Sequence, residues 1–292
     1  MRILLTNDDG LHAPGIIALH EAITDAHGQH GSPLRLAAPG SKTGSNTGTD
    51  ETTEVFTIAP LTVQSATSHG ITYHEPIMVR PMPVTPQMHG IAVDGRPADC
   101  VKLAISSLWS DHYGPNAHGK PSRPDLLISG MNAGANCGVN VIYSGTVAAA
   151  IEGAFLGVPS IAVSMTLGKG TPLFDVAANH ARRTLDLILA QGLPDKHECL
   201  SINIPVTEND GLMPKIVVCP MNTHGLVDKY ERRVSPTGSV YYWASGNGLD
   251  FHATEEGSDV QSLKAGCITI TPLAYDLTKH ASLDRWRTRL QR

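Results

Sequence analysis

Two carboxylates stand side by side in Asn7-Asp8-Asp9-Gly10, directly after the apolar run RILLT at 2–6. Adjacent carboxylates repel, so a positive charge is needed near them. Hard divalent cations such as Mg²⁺ or Mn²⁺ take oxygen ligands of this kind. The competing reading is a turn in which Asp8 or Asp9 caps a helix beginning near Pro14. A second group, Ser129-Gly130-Met131-Asn132-Ala133-Gly134-Ala135-Asn136, follows the apolar run DLLIS at 125–129. Its glycines let backbone bend close to a ligand, and Asn132 and Asn136 offer neutral oxygens and N–H donors. An Asn completes a cation's shell without adding negative charge that would repel phosphate; the competing reading is ordinary turn chemistry. The third group, Tyr143-Ser144-Gly145-Thr146, opens the helical stretch VAAAIEGAFLG. Ser144 or Thr146 is a natural N-cap, and the same helix start presents N–H groups and a positive dipole end to an anion.

These groups must be positioned by a scaffold, and the chain reads as one. RILLT at 2–6, LRLAA at 34–38, DLLIS at 125–129 and SIAVS at 160–164 are short, apolar on both faces and bounded by Gly, Pro or Asn. Strands of a parallel sheet covered on both sides have this pattern. Helical stretches at 15–26, 98–108 and 146–156 alternate with them, which predicts an α/β fold with a Rossmann-like parallel sheet. In such sheets ligands bind beyond the carboxyl ends of the strands, where all three polar groups lie. The combination fits metal-assisted hydrolysis of a phosphate ester. It lacks the Gly-x-x-x-x-Gly-Lys-Ser/Thr of a nucleoside-triphosphate loop and the Gly-x-Ser-x-Gly of a hydrolase serine.

From about residue 174 the character changes: a long helix (174–191), strand-like LSINIPV, KIVVCP and CITITPL, and a charged terminal helix near 283–289. We read residues 1–292 as a single α/β domain, with a core at about 1–173 and an extension at about 174–292. Segment 47–70 is rich in Thr and Ser and reads as a loop or flap. Segment 230–259 is rich in Gly, Ser and Tyr, and its row Tyr241-Tyr242-Trp243 is of the type enriched at interfaces. An alternating strand would bury one side of that row in its own subunit and offer the other to a neighbour, making the segment an association arm of a homodimer or homotetramer.

With 292 residues, 41% hydrophobic and 17% charged, the chain buries a core without staples. A net charge of −5 argues against binding a nucleic-acid duplex through basic surface, while leaving a small anionic substrate open. The five cysteines include no Cys-x-x-Cys pair and read as free thiols. The apolar start is too short for a secretory core, and no run reaches membrane-spanning length, so the expected location is cytoplasmic. The histidines read as surface or locally hydrogen-bonded groups, with His12 and His224 as the candidates to touch substrate. Asp99 and Lys102 read as capping or solvated groups.

The stretches MRILLTNDDGLHAPGI, AAP after the second apolar run, DGRPADCVKLAI and DLLISGMNAGANCGVNVIYSGTVAAAIEGAFLGVPSIAVS, with weaker LSINIP and ITITPLAYDLT, resemble the SurE survival proteins, metal-dependent 5′/3′-nucleotidases. The resemblance spans residues 1–278. It implies one Mg²⁺ or Mn²⁺ per subunit, held by Asp8, Asp9, Asn132 and a hydroxyl from the loop after the second strand. It also implies phosphate contacts from Asn136, Ser144, Gly145 and Thr146, with Asp8 as nucleophile or general base and Asp9 beside it. Family members carry a basic residue and then Ser-Gly after an Ala-Pro. Here Pro39-Gly40-Ser41-Lys42-Thr43-Gly44-Ser45 requires a one-residue deletion to align. That makes Thr43 the expected hydroxyl ligand, with Ser41 and Ser45 as alternatives. The expected substrates are nucleoside 5′-monophosphates, with 3′-monophosphates as an extension. The rivals are a nucleotide-binding regulatory module without catalysis, and a haloacid-dehalogenase-like phosphatase, which would want Asp-x-Asp in place of adjacent carboxylates.

Overall fold

Strand β1 (Arg2–Thr6) sends Ile3 and Leu5 into one apolar layer and Leu4 into the other. A strand apolar on both sides belongs inside a covered sheet, and β1 lies inside a sheet of nine. The computed structural model describes residues 1–36, 52–195, 197–207, 212–245 and 248–291. Its elements run β1, α1 (Pro14–Thr24), β2 (Glu54–Pro60), β3 (Val79–Pro83), β4 (His89–Val93), α2 (Pro97–Leu103), α3 (Trp109–Tyr113), β5 (Leu126–Ala133) and α4 (Gly145–Phe155). There follow β6 (Ser160–Met165), α5 (Phe174–Leu189), β7 (Glu198–Ile204), β8 (Ile216–Val218), the pair β9 (Tyr230–Val234) and β10 (Val240–Ala244), α6 (Asp259–Lys264), β11 (Ile268–Ala274) and α7 (Leu283–Leu290).

The large sheet has the order β3-β4-β2-β1-β5-β6-β7-β11-β8. Its pairings are parallel except β3 with β4 and β7 with β11. Helices α1 and α5 cover one face, where Ile16, Leu19, Ala181 and Leu185 meet Ile3 and Ile128. Helices α2 and α4 cover the other, where Val101, Val147 and Ala150 meet Leu4 and Leu127. The expected α/β architecture with a Rossmann-like parallel sheet is the one observed. Strands β7, β11 and β8 continue the same sheet beyond residue 174.

The second strand corrects the sequence reading. Residues 34–36 form no strand, and 37 and 38 lie outside the described residues. Leu34 instead serves as a buried plug, its N–H donating to the Ile23 carbonyl at 2.7 Å. The strand beside β1 is β2, in register Arg2 to Glu54 and Leu4 to Phe56, with an Arg2 Nε–Glu54 Oε2 ion pair of 2.9 Å at its start. Segment 47–70 therefore is not all loop. At the edge, β3 carries Pro81 and Pro83, which cannot donate to a ladder and are tolerated where one side is unpaired.

The hairpin β9–β10 also departs from expectation. Every residue in both strands is exposed, Tyr242 at 63% and Trp243 at 61%, so the chain's own described residues cover neither face. Among the described residues no helix is long and apolar enough to cross a membrane. All five cysteines are free thiols, and burial pushes the Cys199 thiol up to about 12, far from a reactive thiolate.

Candidate active site

The chain leaves β1 toward β2 on one side and returns as β5 on the other, so the carboxyl ends of β1 and β5 flank a topological switch point. Asn7-Asp8-Asp9-Gly10 is the turn at that end of β1. Asn7 closes it, donating Nδ2 to the Gly10 carbonyl at 2.9 Å and accepting from Gly10 N–H at 3.2 Å. Gly10 has φ +100°, a left-handed backbone that costs a glycine little.

Neither carboxylate caps α1, which starts on Pro14 without a side-chain cap. Each reaches across to another element. Asp8 is 5% exposed and accepts from Thr146 Oγ1 at 2.5 Å and Thr146 N–H at 3.1 Å, at the start of α4. Asp9 Oδ2 accepts from the Ala133 N–H at 2.9 Å, at the end of β5. Gly145 permits the approach of α4, since a Cβ there would lie 2.9 Å from Asp8 Cβ and 3.1 Å from Asp8 Oδ2. Burial pushes the Asp8 carboxyl up to about 6, against the hydrogen bonds from Thr146 and with help from Asp9.

Asn132 lies at the end of β5, its Nδ2 donating to the Gly134 carbonyl at 2.7 Å, which leaves Oδ1 as the atom able to meet a cation. Asn136 is buried and braced: its N–H donates to Asn203 Oδ1 at 2.8 Å and its Nδ2 to Ser164 Oγ at 2.9 Å. Ser164 and Asn203, polar residues near the ends of β6 and β7, thus hold Asn136 in place. Their position at strand ends was the available signal. Ser144 is the N-cap of α4, its Oγ accepting from Val147 N–H at 3.1 Å. Thr146 is committed to Asp8, so Gly145 N–H is the first-turn donor of α4 with no partner among the described residues.

Thr43, Ser41 and Ser45 lie outside the described residues. The loop that follows the second strand is 61–70. It leaves the Ala59-Pro60 end of β2, and its Gln64 N–H donates to the Asp8 carbonyl at 2.8 Å. Thr67 and Ser68 donate their hydroxyls to the Gln64 and Ile142 carbonyls, and Thr62 Oγ1 receives Gln64 Nε2. Ser65, next to Gln64, is the loop hydroxyl without a partner among the described residues. Ser65-Ala66 follows the Ala-Pro of β2, as the Ser-Gly implied by the resemblance would, and Ala66 takes the left-handed φ of +55° that a glycine would favour. No basic residue precedes it.

The donors fit a small hard cation. Two carboxylates, one of them buried, form no ion pair among the described residues, and neutral amide and hydroxyl oxygens stand near. A cavity of about 610 Å³ opens beside Asp9, walled by His12, Thr62, Val63, Ala133 and Phe174. His12 therefore borders the site, whereas His224 pairs with Glu255 at 3.7 Å. Asp99 is a cap, buried and accepting from Arg96 and Thr72 N–H groups at 2.9 and 2.8 Å.

A mostly parallel sheet whose switch point gathers a carboxylate pair, an amide-bearing strand end and a helix start defines an α/β protein with a candidate site at the carboxyl ends of its strands. The chain belongs to the SurE family: the family model described as "Survival protein SurE" matches residues 36–226. It is 39% identical over 283 residues to the 5′-nucleotidase SurE of Heliobacterium modesticaldum, covering 96% of this chain and 89% of that one. It is 36% identical over 284 residues to the 5′-nucleotidase SurE of Syntrophobacter fumaroxidans, covering 97% of each. The crystal structure of a SurE protein from Aquifex aeolicus superposes with a TM-score of 0.73 at 28% identity, covering 99% of each chain.

Proposed function

We propose that this chain is a divalent-metal-dependent phosphomonoesterase, a 5′-nucleotidase acting on nucleoside 5′-monophosphates and extending to 3′-monophosphates. The observation that carries the reading is Asp8: buried at a helix start, beside a second carboxylate, with hydroxyl and amide donors but no cationic partner among the described residues. The names of the relatives support a nucleotide substrate. Asp8, Asp9, Asn132 and Ser65 would hold one Mg²⁺ or Mn²⁺, which supplies positive charge against the phosphoryl oxygens.

The chain's own groups do the rest. Gly145 N–H and the Ser144 hydroxyl orient the phosphate at the positive end of α4, with Asn136 bracing the loop beneath. Thr146 holds Asp8 in one orientation, as a nucleophile or base must be held. The cavity beside Asp9, with Val63 and Phe174 among its walls, receives the nucleoside. Phosphate release from a panel of nucleoside monophosphates is expected with Mn²⁺ and lost with EDTA. Equal release in EDTA, or none with any metal, overturns the reading.

The hydroxyl ligand has its own test. Ser65→Ala is expected to raise the Mn²⁺ dissociation constant about tenfold or more, while Thr43→Val leaves it unchanged. The reverse result moves the ligand into the 41–45 segment.

We also propose that β9–β10 is the association arm of a homodimer or homotetramer. Its aromatic row has no cover among the described residues, and exposed aromatics gathered in one row are unusual on a monomer. Replacing Tyr242 and Trp243 with Ser is expected to lower the mass measured by light scattering. An unchanged oligomer in a folded variant rules the arm out.

A further inference from the structure

Glu152 is a carboxylate on α4 whose side chain is 7% exposed, and it is gripped from two directions. His69 Nε2 lies 2.7 Å from Oε2 and Lys102 Nζ lies 2.9 Å from Oε1. His69 ends the 61–70 loop, and Lys102 sits on α2, so three segments distant in sequence converge on one buried charge. Burial alone would push the Glu152 carboxyl up, yet the hydrogen bonds from His69 and Lys102 hold it below its ordinary value. His69 and Lys102 reach it from the solvent side, their side chains being 38% and 42% exposed.

The loop that His69 ends needs such an anchor. Ala66 and Ser68 both hold φ of +55°, a conformation that L-residues adopt at a cost of about 1 kcal/mol or more and keep only when their surroundings impose it. The restraints are Gln64 N–H to the Asp8 carbonyl at 2.8 Å, Ser68 N–H to the Tyr143 carbonyl at 3.0 Å and Ser68 Oγ to the Ile142 carbonyl at 2.7 Å. Glu152 adds the only charge-assisted restraint among them. It stands on the helix whose first turn holds Asp8, about 10 Å along its axis. One rigid element thus fixes both the carboxylate and the far end of the loop that brings Ser65 toward it.

We propose that Glu152 and His69 are positioning residues: their hydrogen bond latches the 61–70 loop onto α4 and so sets the distance between Ser65 and Asp8. The metal arm of the test rests on the function proposed above; the exchange arm does not. In metal-free protein, His69→Ala is expected to speed hydrogen exchange at the Gln64 and Ser68 amides about tenfold, leaving core amides such as Leu5 unchanged. With metal, the Mn²⁺ dissociation constant read by electron paramagnetic resonance is expected to rise about tenfold in His69→Ala. It is expected to stay near wild type in His69→Gln, which keeps a donor toward Glu152. Turnover at saturating Mn²⁺ should be near wild type in both. Unchanged exchange in His69→Ala overturns the latch, as does unchanged metal affinity in a protein that binds Mn²⁺. A fall in turnover that saturating metal does not restore overturns the positioning role. If the wild-type protein binds no Mn²⁺, the metal reading fails and the exchange arm alone decides the latch.

Discussion

Asp8→Asn is expected to lower phosphate release at least about 10³-fold, close to 4 kcal/mol of transition-state stabilisation, while the fold persists. The amide keeps the shape and its single oxygen still accepts one of the two Thr146 hydrogen bonds, so the main quantity lost is charge. A variant retaining more than a tenth of wild-type turnover removes Asp8 from the chemistry. The same substitution has an opposite effect on the metal-free protein. The Asp8 carboxyl is pushed up to about 6 by burial, above its unfolded value of 3.8. The folded chain then binds the proton more tightly than the unfolded chain. The contribution of Asp8 to stability is greatest below about pH 4 and is lost as pH rises through about 6, by about 3 kcal/mol in all. In EDTA, Asn at position 8 should therefore melt above wild type at pH 8, and the gap should close toward pH 4. A wild-type advantage at pH 8 would mean that burial does not penalise the ionised Asp8.

Gly130→Ala is expected to cost about 3 kcal/mol or more of folding stability. Gly130 holds φ +145°, and a Cβ there would sit 2.2 Å from the Val163 carbonyl oxygen and 3.1 Å from its carbon. That obstacle is the backbone of β6, which cannot give way without disturbing its pairing with β5. The pairing already shifts register between Ser129 and Asn132 at this point. The displacement would reach Asn132 two residues on, so weaker metal binding should accompany the lost stability. Gly170→Ala is the control, because nothing lies within 4 Å of its added methyl. Urea unfolding checks both, and a Gly130→Ala midpoint equal to that of Gly170→Ala contradicts the steric account.

Much of the scaffold was readable because local pattern and tertiary role agree in it. RILLT, DLLIS and SIAVS are apolar on both faces and became β1, β5 and β6, each buried between helix layers. Asp8, Asp9 and Asn132 could be singled out as polar groups that follow apolar runs, where a covered sheet ends. The serine before Gly145 was legible as a cap because Ser144 acts within its own helix turn. Such signals are short-ranged, and a sequence carries them in full.

The second strand was not decidable that way. LRLAAP and VFTIAP are both apolar runs closing on Ala-Pro; the β-branched and aromatic residues of VFTI favour a strand more than LRLAA does, but propensity does not say which run pairs with β1. The choice is made by pairing, since Glu54–Pro60 matches β1 in register and in charge at Arg2, and with it the loop facing Asp8 becomes 61–70. The role of Thr146 is likewise tertiary. It read as a phosphate contact, but its hydroxyl and amide both turn to Asp8, 138 residues away in sequence. Glu152 meets its two partners, His69 and Lys102, across 83 and 50 residues. The sequence by itself determined which segments become strands and helices and which polar residues lie at their ends, because burial and capping act over a few residues. Only the tertiary structure decided which strand lies beside β1, that the Thr146 hydroxyl turns to Asp8 and that His69 and Lys102 meet at Glu152, because those outcomes depend on hydrogen bonds and charges that meet only after the sheet has formed.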